Sequence, residues 1–406
     1  MGGKAILFLI VGIGSLMMVT ILNLNKFSTS VFDNSVNHFE VGIAKVIAES
    51  GLNLAASNLS RNGDWEPVGS PYSYMGTDNL KIITRDSNGV KIVTSIGSYK
   101  GKTHTVEIKI KMANFSEYAY FSNIEGAIWW TGTDSVFGPF HTNDDLFVQG
   151  HPYFAGPTTS HGGIVQYYTD QATDEPTIVG SYTSGITIAI PTNGIKGLSS
   201  KASAGGYVFS GHPEVFVEFV SDSIKYKFSE TDPYTTVLSN TLAPNGIIYV
   251  DNGDLRIKGT VKGKWSIGSN QSVYLDDDIV YADVPDPSNK YDTSTDLLGI
   301  LALNDVIITD NKENSEDINI NAAIYCETGG FTAENYGTRD PAGSINLIGG
   351  ITQEHREKVG EFTVSGSTKT IVSGFSRNYK YDNRLQRMVP PYFPNTNTFK
   401  IVSWLE

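Results

Sequence analysis

Cysteine is almost missing from this sequence: Cys326 is the only one in 406 residues. A disulfide framework and a cysteine-based zinc site are excluded, so packing alone must hold the fold. Charge is sparse as well. Only 18% of the residues are Asp, Glu, Lys or Arg, and 30 basic residues face 43 acidic ones, a formal net charge of −13. Affinity for polyphosphate comes chiefly from Lys and Arg displacing counterions, so nucleic acid is not an expected partner. No H-E-x-x-H, phosphate-binding glycine loop or Ser-His-Asp elbow occurs. What is present is ring and glycine: 21 Tyr, 19 Phe and 41 Gly, with 40% hydrophobic residues, a mix that excludes disorder and suits a β-rich protein. The length allows more than one domain and a large core.

Charge is wholly absent from Ala5 to Leu24, AILFLIVGIGSLMMVTILNL. A run of about 20 such residues crosses about 30 Å of hydrocarbon. We read it as a membrane span, in which Ile6, Leu9, Leu16, Val19 and Leu22 face lipid or neighbouring helices. A cleaved signal and a buried soluble helix are the competing readings. The first usually has a shorter apolar region ending in small residues; the second is apolar on one face only. Lys4 and Lys26 flank the run, so charge orients it only slightly; the β-strands downstream favour a body outside. No proline interrupts Ser28 to Leu59, where apolar residues recur three or four apart, including Phe32, Val36, Phe39, Ile43, Ile47, Leu52, Ala55 and Leu59. The spacing predicts an amphipathic helix continuous with the span, stopped by Arg61-Asn62-Gly63-Asp64.

The string Ala48-Glu49-Ser50-Gly51-Leu52-Asn53-Leu54-Ala55, behind a short basic start, a span and an unbroken amphipathic helix, resembles the opening of PilX-type pilus assembly proteins and other minor pilin-like components. Glu49 and Gly51 carry the likeness. It implies a membrane-anchored subunit that meets pilin-like or secretion-system subunits through its helix. The chain departs from prepilins in having Gly3 before Lys4 and no acid in the apolar run, so leader cleavage and polymerisation through a glutamate are not carried over.

Residues 65–75 read as loop. Leu80–Thr84, Val90–Ile96 and Thr103–Met112 alternate apolar with polar, separated by Asn88-Gly89 and Gly101, which predicts a three-stranded antiparallel meander docked on the helix stripe. Further on, Gly138-Pro139-Phe140-His141-Thr142-Asn143 and Gly150-His151-Pro152-Tyr153-Phe154-Ala155-Gly156 resemble the G-P-x-H-T-N … G-x-P-x-F-x-G signature of an uncharacterised bacterial extracellular domain attached to PilX-like helices. His141, Asn143, Gly150, Pro152 and Phe154 are its marked residues. From Leu242 to Ile351 apolar triplets such as Ile247–Val250, Val273–Leu275, Ile300–Ala302, Ile324–Tyr325 and Ile345–Leu347 recur at about the rung length of a parallel β-helix, which we prefer to an ordinary sandwich. The end of the chain, with Pro390-Pro391 and Pro394, cannot be a central strand there; it predicts an extended tail packed along the solenoid.

Two clusters could carry chemistry. His141, His151 and His161 fall ten apart, with Asp144, Asp145 and His212 as companions, but no pair has metal-ligand spacing. The plainer reading makes His141 a hydrogen-bonded turn residue. Asp276, Asp277 and Asp278, with Arg256, Lys258, Lys262 and Lys264 near in sequence, suit either a carbohydrate-active site or a passive calcium corner; a solvated turn is the plainer reading. Cys326 is expected buried in a strand.

The sequence therefore predicts a mainly β chain with a long N-terminal α-helix: a pilin-like helix plus small antiparallel sheet, then a parallel β-helix-like solenoid body. The segments are a transmembrane stretch at 1–27, its amphipathic continuation at 28–62, a small β module at 65–115, the β body at 116–390 and a tail at 391–406. The expected role is a non-enzymatic, membrane-anchored component of a type IV pilus-like or secretion-pseudopilus-like bacterial envelope assembly. Its body would serve adhesion, with surface glycan as a ligand, or subunit contact. No cofactor and no metal beyond the calcium corner is expected. A membrane-anchored polysaccharide lyase or hydrolase is the alternative.

Overall fold

The computed structural model describes residues 2–59, 65–68, 72–74, 77–87, 90–126, 128–132, 134–168, 173–287, 289, 291–365 and 368–405. The proposed helix stop at 61–64 and the turn at Asn88-Gly89 lie outside them. As anticipated, the chain is mainly β with one long N-terminal helix. It divides into two compact units, Met1–Ala113 with Asn397–Glu406, and Asn114–Thr396.

The first unit is built on helix α1, Gly2–Leu59, a rod of about 87 Å at 1.5 Å per residue. Strands β1 (Tyr72–Tyr74), β2 (Thr77–Ser87), β3 (Val90–Tyr99) and β4 (Lys102–Asn114) form an antiparallel sheet. β1 lies in the stretch read as loop. Tyr99 pairs with Lys102, and the turn between them uses Lys100 at φ 45° and Gly101 at φ 77°. Positive φ at both central residues matches the twist of a tight hairpin. Ile47, Ala48, Leu52, Ala55 and Leu59 pack on Leu80, Ile82, Val93, Val106, Ile108 and Ile110. Burying each of the larger aliphatic chains contributes about 1.5–3 kcal/mol. Small residues let the two layers meet: a Cβ on Gly51 would strike Ser95 and Leu80, and one on Gly97 would strike the helix backbone at Ala44 and Ala48. The docked stripe is shorter than the periodicity predicts. Ile43 is only partly covered, while Phe32, Val36, Phe39 and Val46 are exposed, because the sheet reaches no farther along the helix.

The tail differs from its expected course. Pro390 and Phe393 close on Gly299 in the body, but Asn395–Leu405 becomes a fifth strand beside β4 in the first unit's sheet. After Pro394 every residue again has an N–H to place in a ladder, and Phe399 finds the small core.

Parallel ladders dominate the second unit. The longest follows Tyr207–Ser210, Ile247–Asp251, Lys264–Ser269, Leu297–Ala302, Ile318–Cys326 and Pro341–His355. It continues, still parallel, through the earlier strands Tyr120–Ile124, Phe140–Thr142, Thr158–Ser160 and Tyr182–Thr183. Ile248, Ile267, Ile300, Ile324 and Ile351 are successive partners, all buried. A second ladder aligns Val215, Leu255, Val273, Val306 and Phe331; a third aligns Ile279, Ile320, Leu347 and Tyr379. The recurring triplets noted in the sequence therefore fall on different ladders: Val273 stands in the second, Ile300 in the first and Ile345 in the third.

Candidate functional site

The surface that the helix leaves open is apolar along its first part and mixed beyond it, where Lys26, Asp33 and His38 stand among Phe27, Phe32 and Phe39. Within Gly3–Leu59 a window of mean hydropathy 2.7, long and apolar enough to cross a membrane, has none of its residues buried in the structure. Ile6, Leu9, Leu16, Val19 and Leu22 lie on that exposed stretch, followed by Phe32, Val36 and Phe39. In the Ala48–Ala55 string, Ala48, Gly51 and Leu52 face the sheet, whereas Glu49 is at the surface 3.7 Å from Lys45. Gly51 is thus a packing residue, while Glu49 is half-buried and paired with Lys45.

His141 sits in the second unit on the strand Phe140–Thr142, fully buried. Its hydrogen bonds go to side chains, not to turn backbone: Nδ1 lies 2.7 Å from Thr159 Oγ1 and Nε2 2.8 Å from Asn143 Oδ1. The Ile188 N–H also donates to Asn143 Oδ1, and Asn143 Nδ2 donates to Ile188 O and Asn123 Oδ1. A backbone N–H can only donate, which fixes the amide orientation and makes His141 Nε2 the protonated nitrogen. Burial holds the imidazole pKa below its ordinary value, against the bond to Asn143. The other motif residues build the same corner. Gly150 has φ 74°, Pro152 is buried, and Phe154 packs edge-on against Phe140 with ring centres 5.0 Å apart. Gly156 lies against Gly138 carbonyl, so the two glycine-proline turns stack with no room for a Cβ.

His151 and His161 are exposed and bond elsewhere, to Glu175 O and Thr187 Oγ1. His212 stacks on Phe228. Among the described residues no three His, Cys, Asp or Glu side chains come together as metal ligands. The acid triplet diverges for a visible reason. Asp278 accepts both from Asn319 N and from Asn319 Nδ2, Asp277 accepts from Asp278 N, and Asp276 accepts from Thr309 and Arg256, each at 2.7 Å. The calcium corner is accordingly not assembled.

Asp276 does line a polar cleft of about 430 Å³, with Arg256, Lys258, Glu214 and Glu230. Arg256 also pairs with Glu214 and lies 4.6 Å from the Tyr274 ring centre. Burial raises the Asp276 carboxyl pKa, opposed by the Thr309 bond and the Arg256 charge. Lys262 instead reaches Asp222 at the surface and Lys264 is exposed. Cys326 is buried in its strand, which raises its thiol pKa and keeps it protonated.

Sequence reasoning passed over two buried ion pairs. Arg356 Nη1 is 2.6 Å from Glu125 Oε2, with its guanidinium 3.9 Å from the Trp130 ring centre. Arg384 chelates Asp382 with two bonds of 3.0 and 2.8 Å and donates to Ser294 O. The second pair had a signal, an Asp-x-Arg spacing in a proline-bounded tail. The first joins residues 231 apart and had none.

Residues 85–163 match a family described as a domain of unknown function (DUF4900). The match runs from the small sheet through the His141 motif and covers less than half of the chain. Curated proteins give no match. Among solved structures, the competence-associated pilin ComZ from Thermus thermophilus aligns over 90% of this chain and 97% of its own at 10% identity. Its TM-score of 0.39 is too low to carry a statement about this chain's fold or function.

Proposed function

We propose that the chain is a membrane-anchored structural component of a pilus-like or secretion-pseudopilus-like envelope assembly, not an enzyme. One observation carries this: from a membrane-length segment an exposed apolar stripe continues through Phe27, Phe32, Val36 and Phe39 among polar neighbours, while only the last turns dock on the sheet. Exposed aromatic and aliphatic side chains beyond a span have a large apolar area to bury against sister helices. The second unit, in this reading, is a three-faced parallel β-helix projecting from the envelope, available for adhesion or subunit contact. Its support is the aligned isoleucine ladder and the two ladders beside it.

Cysteines placed at Phe32 and Val36 test the assembly claim, because Cys326 is buried and stays silent. Oxidation of native membranes should trap covalent dimers, the largest species that one accessible thiol per chain allows. A chain that remains monomeric with both variants would contradict the reading.

A further inference from the structure

A second cleft in the body, of about 300 Å³, opens where the segment after Tyr120–Ile124 meets the segment after Pro341–His355. Trp129 and Thr131 form one wall, and Lys358, Glu361 and Arg377 the other, with Asp134 beside them. The volume is at the lower end for small-ligand sites. Two cations face two carboxylates, so the cleft has no excess of either sign.

The indole is braced. Phe147 lies 5.4 Å from the Trp129 ring at 83° and Tyr167 5.0 Å from it at 88°. Phe147 is the neighbour of Val165 in the ladder below, and Tyr167 and Tyr168 are 49% and 54% exposed. An aromatic strip therefore leads from the cleft past the ends of the paired strands Trp130–Thr131, Leu146–Gln149 and Ile164–Gln166. Each ring costs free energy to leave in water, and none is used by the core.

We infer that this cleft binds a neutral saccharide chain, one pyranose resting on Trp129 and the next residues following Tyr167 and Tyr168. Ring C–H bonds of a sugar carry slight positive charge and meet the negative face of an indole. Vicinal hydroxyls offer paired donors and acceptors, which the planar groups of Arg377 and Glu361 can satisfy two at a time. A polyanion would need surplus cations, which the cleft lacks, and an acyl chain would desolvate the charged Lys358, Glu361 and Arg377 that stand beside its apolar Ile128, Trp129 and Phe362. This inference rests on the proposed reading only in that the body faces outward.

The full-length protein in lipid nanodiscs, titrated calorimetrically with the neutral cellohexaose, maltohexaose and chitohexaose and, as the charged comparison, with polygalacturonate, decides it. At least one of the three neutral oligosaccharides should bind saturably. Trp129→Ala should weaken that binding by about tenfold or more, as for a central aromatic anchor, and Trp129→Phe by less. Glu361→Gln, an exposed position, should also weaken binding and covers the case in which Trp129→Ala does not fold. Absence of binding to all three overturns the inference. So does unchanged binding in the folded Trp129→Ala and Glu361→Gln variants, or a preference for polygalacturonate. Saccharide binding without helix cross-linking would remove the assembly reading and leave this one standing.

Discussion

His141 is held between two side chains and is wholly buried. Asn143 Oδ1 takes the Nε2 proton, and Nδ1 is left to accept from Thr159. Burial depresses the folded-state pKa below the ordinary 6.5, against the bond to Asn143, and the unfolded chain binds the proton more readily. Linkage then gives the sign. The His141 contribution is complete above about pH 6.5 and is lost as pH falls from there through the folded pKa, by at most about 1.4 kcal/mol per pH unit. In His141→Gln the amide nitrogen can keep the bond to Asn143 without titrating. The stability gap between wild type and H141Q, measured by denaturant unfolding, should be largest at pH 7.5 and narrow by pH 5.5. A gap independent of pH would show that His141 does not titrate in this range. The sequence marked His141 as a turn residue but could not show its partners, because Thr159 and Ile188 belong to later strands and loops. Buried pairs such as Arg356 with Glu125 are hidden in the same way, although removing one partner of such a pair costs about 3–5 kcal/mol.

At the scale of elements, what alternates locally was legible and what stacks at a distance was not. β2, β3 and β4 announce themselves by period-two patterns and short turns, so their order and their antiparallel pairing follow from the chain. The helix is legible from its lack of charge and proline. Its docking length is not, since the spacing of Phe32 and Val36 is the same as that of Ala48 and Leu52; only the reach of the sheet separates exposed from buried. Gly97 marks the contact. Its missing Cβ points at helix backbone between Ala44 and Ala48, which cannot move aside as a flexible side chain would. Gly97→Val should therefore force the layers apart, at a cost of about 1–3 kcal/mol or more. Limited proteolysis should then cut within 44–59, a stretch protected in the wild type. Protection unchanged in G97V would mean that helix and sheet adjust without separating.

At the scale of the molecule, the ladder order is not the chain order. The strands from Tyr120 to Thr183 stack on Pro341–His355, and the chain then returns through 184–206 to begin again at Tyr207. That return includes helix α2, Gly194–Gly205, whose first turn is capped by Glu327 through the Ile195 N–H at 2.8 Å. No periodicity in the sequence reports a junction between residues so far apart, which is why the triplet spacing from Leu242 onward suggested one regular series. Asn395–Leu405 was misplaced for a related reason: its prolines mark where the chain leaves the body, but its destination depends on the open side of β4. Each unit has its own buried core, so the strand's contribution can be isolated. Deleting 397–405 removes Phe399 and the strand beside β4 while leaving the body's 114–396 intact. Calorimetry of the full-length protein and this variant in nanodiscs should show two transitions. The one belonging to the helix-and-sheet unit should fall by about 5 °C or more, on the scale expected for a kcal/mol or so in a unit of this size. The body's transition should stay within error. A single transition, or an equal shift in both, would mean that the two cores melt as one and that the strand stabilises the whole chain.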